Sequence, residues 1–239
     1  MSETFKLKNG SILLVAEAPG GIYNGDQLNI LASIAAELGS TIKVTEEQRL
    51  CLVVTEDQIV EISQKMNSVG LTGRKYQTEL AQPMSCLGGF CPFHQQDALD
   101  TSLRISEKLP IEPGLPQLSM GINGCSKTCV PTHTLDLNIM GADHGYKVFI
   151  GGKNSYVPEV ACFLAEDVPA EKLPDLVAGC YQLYRDLRDG EETLHDVIER
   201  VGTSKFVDLF SPYSQDAAGT DDPFGVIEDS DSDLSLIHI

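Results

Sequence analysis

Basic side chains are what this 239-residue sequence lacks most: 17 Lys and Arg stand against 35 Asp and Glu, a formal net charge of −18. A protein built to hold nucleic acid needs clustered excess cation, and so does one that docks on an anionic membrane surface, so neither partner is expected. No stretch approaches the roughly 18–20 uninterrupted apolar residues that a membrane helix requires. The start, Met1-Ser-Glu-Thr-Phe-Lys6, lacks the charged-then-apolar layout of a secretory signal, which predicts a cytoplasmic, reducing location. Tryptophan is absent altogether, which decides nothing about fold. What is present is a 42% hydrophobic content, normal for a globular chain, and seven cysteines. In a reducing compartment these read as metal ligands or buried thiols rather than disulfides.

The pattern predicts an α+β protein. Over residues 1–71 the order is strand, helix, strand, strand, helix. Ser11–Val15 is an apolar run ended by the turn Pro19-Gly-Gly21. Leu28, Leu31, Ile34, Ala35 and Leu38 keep a helical period that Gly39 stops. Ile42–Val44 and Leu50–Val54 read as paired strands, and Thr55 with Gln58 as a capping box opening a helix through Met66. This unit resembles a ferredoxin-like half-domain. Residues 72–210 form a second α+β unit, with a helix over Gln95–Lys108 and a Pro-bearing turn at Pro110, Pro113 and Pro116. Strands are expected at Leu118–Asn123, Thr134–Met140 and Tyr146–Ile150, and a helical pattern from Pro158 to Phe210. Residues 211–239 read as an acidic disordered tail whose last six residues resemble a sequencing artefact.

Four cysteines fall in two pairs, Cys86-Leu-Gly-Gly-Phe-Cys91 and Cys125-Ser-Lys-Thr-Cys129, each on a glycine-bearing loop. Four thiolates suit an iron–sulfur cluster and equally a structural zinc ion. Zinc knuckles commonly leave two residues between paired cysteines, and these pairs leave four and three. Cys51, Cys162 and Cys180 sit among apolar neighbours and read as buried thiols.

At these residues the sequence resembles the siroheme-dependent nitrite/sulfite reductase family, which carries a Cys-x5-Cys pair and then Gly-Cys-x3-Cys after a strand. Gly124-Cys125-Ser-Lys-Thr-Cys129 matches the second element, and the first is one residue shorter. The flanks Ala18-Pro-Gly-Gly21, Thr45-Glu-Glu-Gln48, Gly151-Gly-Lys153 and Glu199-Arg-Val-Gly202 are similar too. The resemblance implies a [4Fe-4S] cluster on Cys86, Cys91, Cys125 and Cys129, with Cys129 also the axial ligand of siroheme iron. It further implies cations for the siroheme carboxylates, for which Arg49, Arg74, Lys75, Lys127 and Lys153 are the candidates.

The sequence departs from the family where a substrate anion would sit. The family has an Arg in the stretch that here reads Val15-Ala-Glu-Ala18, another at Glu47, and two Lys at Gln117 and Ser119. All four cations are gone, with Arg49 the one nearby replacement, and Glu47 is expected to repel an anion. Of the histidines, His94 adjoins the first cysteine pair, whereas His133, His144 and His195 read as surface or turn residues. The leading expectation is a single-copy siroheme/[4Fe-4S] oxidoreductase, monomeric or homodimeric, acting on a small anion with an unidentified electron donor protein. The alternatives are a non-catalytic electron-transfer or tetrapyrrole-binding protein and, behind it, a structural zinc protein.

Overall fold

The computed structural model describes residues 6–76, 80–110 and 115–213. Nearly all of the expected acidic tail, and Pro113 of the predicted turn, lie outside the described residues.

The first sheet is built from β1 (Ile12–Glu17), β2 (Ile42–Val44), β3 (Leu50–Val54) and β4 (Thr72–Lys75), in the order β2-β3-β1-β4 with every pair antiparallel. Helices α1 (Gly25–Leu38) and α2 (Ile59–Asn67) connect them, completing a βαββαβ unit. Asn24 and Gln27 cap α1 reciprocally, at 2.9 Å each way, and Gly39 ends it at φ 58°. The fourth strand begins at the residue where the sequence pattern starts the second unit, so the first sheet reaches to Lys75.

Strand alternation gives this sheet two different faces. Ile12, Leu14, Leu52 and Val54 pack with Leu31, Ile34, Ile62 and Met66 beneath the helices. The opposite face carries Val15 between Cys51 and Arg74, with Glu17 and Arg49 beyond. That face is covered by the second unit, and burial pushes the Cys51 thiol up to about 12.

The second sheet runs β5 (Met84–Ser85), β6 (Met120–Asn123), β7 (Leu137–Ala142), β8 (Gly145–Ile150) and β9 (Cys162–Val168) in spatial order. The first three strands are parallel and the last three antiparallel. Asp143-His144 forms the tight turn between β7 and β8, where Ala142 pairs with Gly145. Helices α3 (Ala98–Lys108) and α4 (Leu173–Leu187), followed by α5 (Leu194–Val201) and α6 (Ser204–Leu209), share one core with this sheet. Ile105, Ile122, Ile139, Val148, Leu164, Tyr181 and Phe206 are all in it.

Three corrections concern this half. Cys162, read as a buried thiol, is exposed at the start of β9, an edge strand where its side chain faces away from the core. The helical pattern expected from Pro158 begins only at Leu173, because Cys162–Val168 is a strand on the edge of the sheet. His195, expected on the surface, is only 7% exposed, packed under the strand ends.

Candidate functional site: a four-cysteine cradle and an adjoining cavity

Cys86, Cys91, Cys125 and Cys129 all line one cavity of about 270 Å³, together with Gln48, His94, Asn123, Lys127 and Val130. All four are free thiols. The loop Cys86–Cys91 leaves β5, and the loop Gly124–Val130 leaves the neighbouring parallel strand β6. Parallel pairing therefore puts both loops at the same edge of the sheet, where the chemistry of such sheets usually collects.

Each loop is locked by its own backbone partners. The Asn123 amide donates to the Val130 carbonyl at 3.0 Å and its oxygen accepts from the Val130 N–H at 2.9 Å, closing the second loop into a ring. Thr128 inside that ring holds φ 47°, a left-handed conformation. The Gly124 carbonyl accepts from the N–H groups of Gln95 and Gln96, and a Cβ on Gly124 would stand 2.4 Å from the Gln96 carbonyl oxygen. In the first loop Gly88 has φ 55° and lies against Asp97, which accepts from the Gly89 N–H at 3.0 Å and caps α3 through the Asp100 N–H at 3.2 Å. The start of α3 is thereby tied to the cysteine loop.

The donor set fits an iron–sulfur cluster better than zinc. The two pairs leave four and three residues between their cysteines, where zinc knuckles commonly leave two. The Gly124 N–H donates to the Cys86 sulfur at 3.2 Å, a bond that stabilises thiolate charge. Cys129 is the most open of the four, exposed where the others are partly covered, which suits a sulfur shared with a second group.

A second cavity, of about 360 Å³, lies behind this cradle. Met84 lines it while Ser85 lines the first, and Pro131 lines it while Val130 lines the first, so a thin wall of β5 and this loop divides them. Glu47, Gln117 and Ser119, the three residues singled out by sequence as replacing cations, all face this cavity, alongside Glu46, Asp136, Lys153 and His195. Asp136 accepts from the Ser119 N–H at 2.8 Å and the Ser119 hydroxyl at 2.6 Å. Burial outweighs these bonds and raises its carboxyl above the usual range.

The expected cofactor cations divide into two groups. Arg49 and Arg74 are only 1% and 3% exposed and meet at Glu17, itself 6% exposed. Arg49 Nε donates to Glu17 at 3.1 Å, and its other nitrogens donate to the carbonyls of Glu47, Gln82 and Pro83 at 3.0–3.1 Å. Arg74 pairs with Glu17 through Nε and with Glu47 through Nη2 at 2.6 Å. Desolvation works against the Arg74 charge, but the two carboxylates outweigh it and raise its affinity for the proton. The expected repulsion from Glu47 is thus offset on the spot, and Arg49 is committed to holding the two units together. Lys75, one residue along the strand, points the other way, where its charge acts on Glu56.

The remaining two cations border the cavities. Lys127 is exposed on the cysteine loop, with its ammonium 5.0 Å from the centre of the Phe93 ring. Lys153 lines the second cavity, 3.6 Å from Glu159 and 3.9 Å from Asp196. His94 donates its backbone N–H to the Cys91 carbonyl at 3.2 Å, so the residue braces the first loop.

Three features had no sequence signal of their own. Gln48 holds φ 62° and clamps Ser85 from both sides, its amide donating to the Ser85 carbonyl at 2.9 Å and its oxygen accepting from the Ser85 N–H at 3.0 Å. This fixes the first sheet directly onto the residue before Cys86. Asp136 is a single acid in a predicted strand, and the partners that bury His195 come from elsewhere in the chain.

Residues 77–217, more than half of the chain, match the family described as the nitrite and sulphite reductase 4Fe-4S domain. The chain is 24% identical over 191 residues to "Sulfite reductase, assimilatory-type" of Nitratidesulfovibrio vulgaris, covering 79% of this chain and 87% of that protein. It is 24% identical over 169 residues to "Nitrite reductase [NAD(P)H]" of Emericella nidulans, covering 70% of this chain but only 15% of that much longer protein. The fold is that of the NirA protein of Mycobacterium tuberculosis, with a TM-score of 0.71 at 21% identity over 84% of this chain and 39% of the other. No helix among the described residues is long and apolar enough to cross a membrane.

Proposed function

The chain belongs to the nitrite and sulphite reductase 4Fe-4S domain family, and on that premise we propose that it is a siroheme/[4Fe-4S] redox protein with its cluster on Cys86, Cys91, Cys125 and Cys129. The observation that carries the proposal is the convergence of those four thiols on one cavity. When bound, the cluster would supply single electrons and siroheme a place for a small ligand to be reduced, with Cys129 the residue that would serve both groups.

The protein's own residues hold and tune this arrangement. Asn123 fixes the loop that presents Cys125 and Cys129, and the Gly124 N–H lowers the cost of negative charge on the Cys86 sulfur. Lys127 and Lys153 are the cations placed to meet carboxylates of a tetrapyrrole. Asp136, holding its proton to higher pH than an ordinary carboxyl, puts a proton source on the wall of the second cavity.

A second reading, a non-catalytic electron-transfer or tetrapyrrole-binding protein, is favoured by the Glu17–Arg49–Arg74–Glu47 network. It is neutral as a unit and locks away the basic groups nearest the position of a substrate anion. Anaerobic purification followed by iron, zinc and sulfide analysis with a visible spectrum tests both. A colourless protein holding zinc alone ends both readings. Siroheme whose spectrum responds to neither sulfite nor nitrite, with no turnover, leaves only the second. Cys129→Ser should abolish spectroscopic coupling of cluster and haem, and unchanged spectra would remove Cys129 as the shared ligand.

A further inference from the structure

Beside the second cavity, and outside the cysteine cradle, Glu159, His195 and Glu199 bring one imidazole nitrogen and two carboxylate oxygens within 4.8 Å of one another. We infer that these three residues form a second metal site, for a divalent first-row transition ion such as Zn²⁺, that clips α5 to the segment following β8.

The imidazole is oriented as a metal-ligating histidine is. Its Nδ1 lies 2.8 Å from the Gly151 carbonyl oxygen, an acceptor, so this nitrogen carries a hydrogen and Nε2 is the one that would offer a lone pair to a metal. Gly151 itself is fixed, at φ 81° with Ile198 packed where a Cβ would be. Nε2 is fully buried and, among the described residues, no group meets it in hydrogen-bonding alignment. The Glu159 and Glu199 oxygens nonetheless stand 3.3 and 3.6 Å from it. The nitrogen is therefore aimed between two carboxylates rather than at either. A metal with bonds of about 2.0–2.2 Å in tetrahedral array spaces its ligand atoms at about 3.3–3.6 Å, which the two nitrogen–oxygen distances match.

The three ligands come from stiff supports. His195 and Glu199 are one turn apart on the same face of α5, whose start is capped by Thr193 and Asp196. Glu159 sits in a two-way backbone bridge to Lys153, with N–O distances of 2.9 and 3.0 Å. Charge favours a cation: Glu159, Glu199 and Asp196 outnumber the single ammonium of Lys153, which approaches the Glu159 oxygen turned away from His195. One imidazole with two carboxylates suits zinc or ferrous iron, with water completing the shell. The partly open carboxylates give an ion a path in, since Glu199 is exposed while His195 is not.

Equilibrium dialysis of the purified, cluster-bearing protein against Zn²⁺ tests the site, with His195→Gln and Glu199→Gln compared at matched iron content. Zinc taken up by thiols is common to all three proteins and cancels. The wild type is expected to bind one equivalent at least tenfold more tightly than either variant, and only its thermal midpoint should rise with added Zn²⁺. His195→Gln also removes the bond to Gly151, so the exposed Glu199→Gln keeps the test valid if the first variant folds poorly. Identical isotherms and midpoints for wild type and Glu199→Gln would overturn the site and leave a histidine paired with two carboxylates.

Discussion

Replacing Glu17 by Gln should cost this protein a large share of its stability. Among the described residues Glu17 is the one carboxylate paired with both Arg49 and Arg74, each almost completely buried. The amide keeps the shape and one acceptor oxygen but removes the charge, leaving two guanidinium groups in a poorly solvated interface where, among the described residues, Glu47 is the remaining counter-charge. Removing one partner of a buried ion pair typically destabilises by about 3–5 kcal/mol. For a domain of this size each kcal/mol shifts the melting midpoint by roughly 2–4 °C, so the midpoint should fall by roughly 6–20 °C. The transition is best followed by circular dichroism, since the chain has no tryptophan to report it. The double variant Glu17→Gln/Arg74→Met should recover more than half of the loss, because it removes one of the stranded charges together with the acid. A midpoint that moves by less than about 2 °C in Glu17→Gln, or a double variant worse than the single one, would refute the claim that this carboxylate neutralises the two arginines.

Asp136→Asn should alter the pH dependence of stability. A carboxyl whose folded value is raised binds its proton more tightly in the folded state, so its stabilising contribution is full below the ordinary value of 3.8 and is lost as pH rises through the raised one. The Asn variant should therefore gain on the wild type from about pH 4 upwards in urea midpoints, and a pH-independent difference would count against a buried carboxyl there. Asn123→Ala deletes two buried hydrogen bonds to Val130 and should cost about 2–4 kcal/mol. Iron retention after desalting should fall with it, whereas unchanged iron would dissociate that loop from the cluster. Gly88→Ala, which at φ 55° puts a Cβ 2.4 Å from Asp97 Oδ1 and 2.6 Å from the Leu99 N–H nitrogen, should lower both iron content and melting midpoint, the latter by more than 4 °C.

The parts of this fold that were legible in the sequence are those whose cause is local. The Gln58 side chain of the predicted capping box returns to the Thr55 N–H at 2.9 Å, and β2 pairs with β3 as the alternation implied. The cysteine pairs were legible as pairs from their short spacing, and the fold brings both to one cavity. What escaped has non-local causes. The strand Thr72-Gly-Arg-Lys75 carries no hydrophobic alternation, since its inward residue is an arginine whose burial depends on Glu17, 57 positions away. Cys162–Val168 passed for helix because Leu164, Ala165 and Val168 sit at helical spacing. They all turn inward only because the pairing with β8 shifts register twice. Gln48 could not be singled out at all, its value resting on a left-handed backbone and on Ser85, 37 residues on.

Charge counting also needs the structure before it says anything about ligands. Residues 1–154 hold 16 acids and 12 bases, close to balance, which suggests cations to spare for a polycarboxylate cofactor. In the folded protein Lys6, Arg49, Lys65, Arg74, Arg104, Lys108, Lys147 and Lys153 all stand beside carboxylates. These pairs are not equivalent. The exposed ones are worth little and can exchange partners when a stronger anion arrives, so Lys153 remains usable by a ligand. Arg49 and Arg74 cannot be released without stranding Glu17 and Glu47 in the interior. Where the second cavity is lined by Glu47, Gln117 and Ser119, the protein therefore offers a neutral buried network, the Gln117 amide, and a Ser119 hydroxyl already donated to Asp136. At an effective dielectric of about 20, a cation about 5 Å from an anion contributes roughly 3 kcal/mol, over a hundredfold in affinity. A reductase lacking such cations must work at high substrate concentration or gather its anion by other means, whereas an electron carrier carries no such requirement. The affinity for sulfite, measured on protein that carries siroheme, is thus the quantity on which the two proposed readings part.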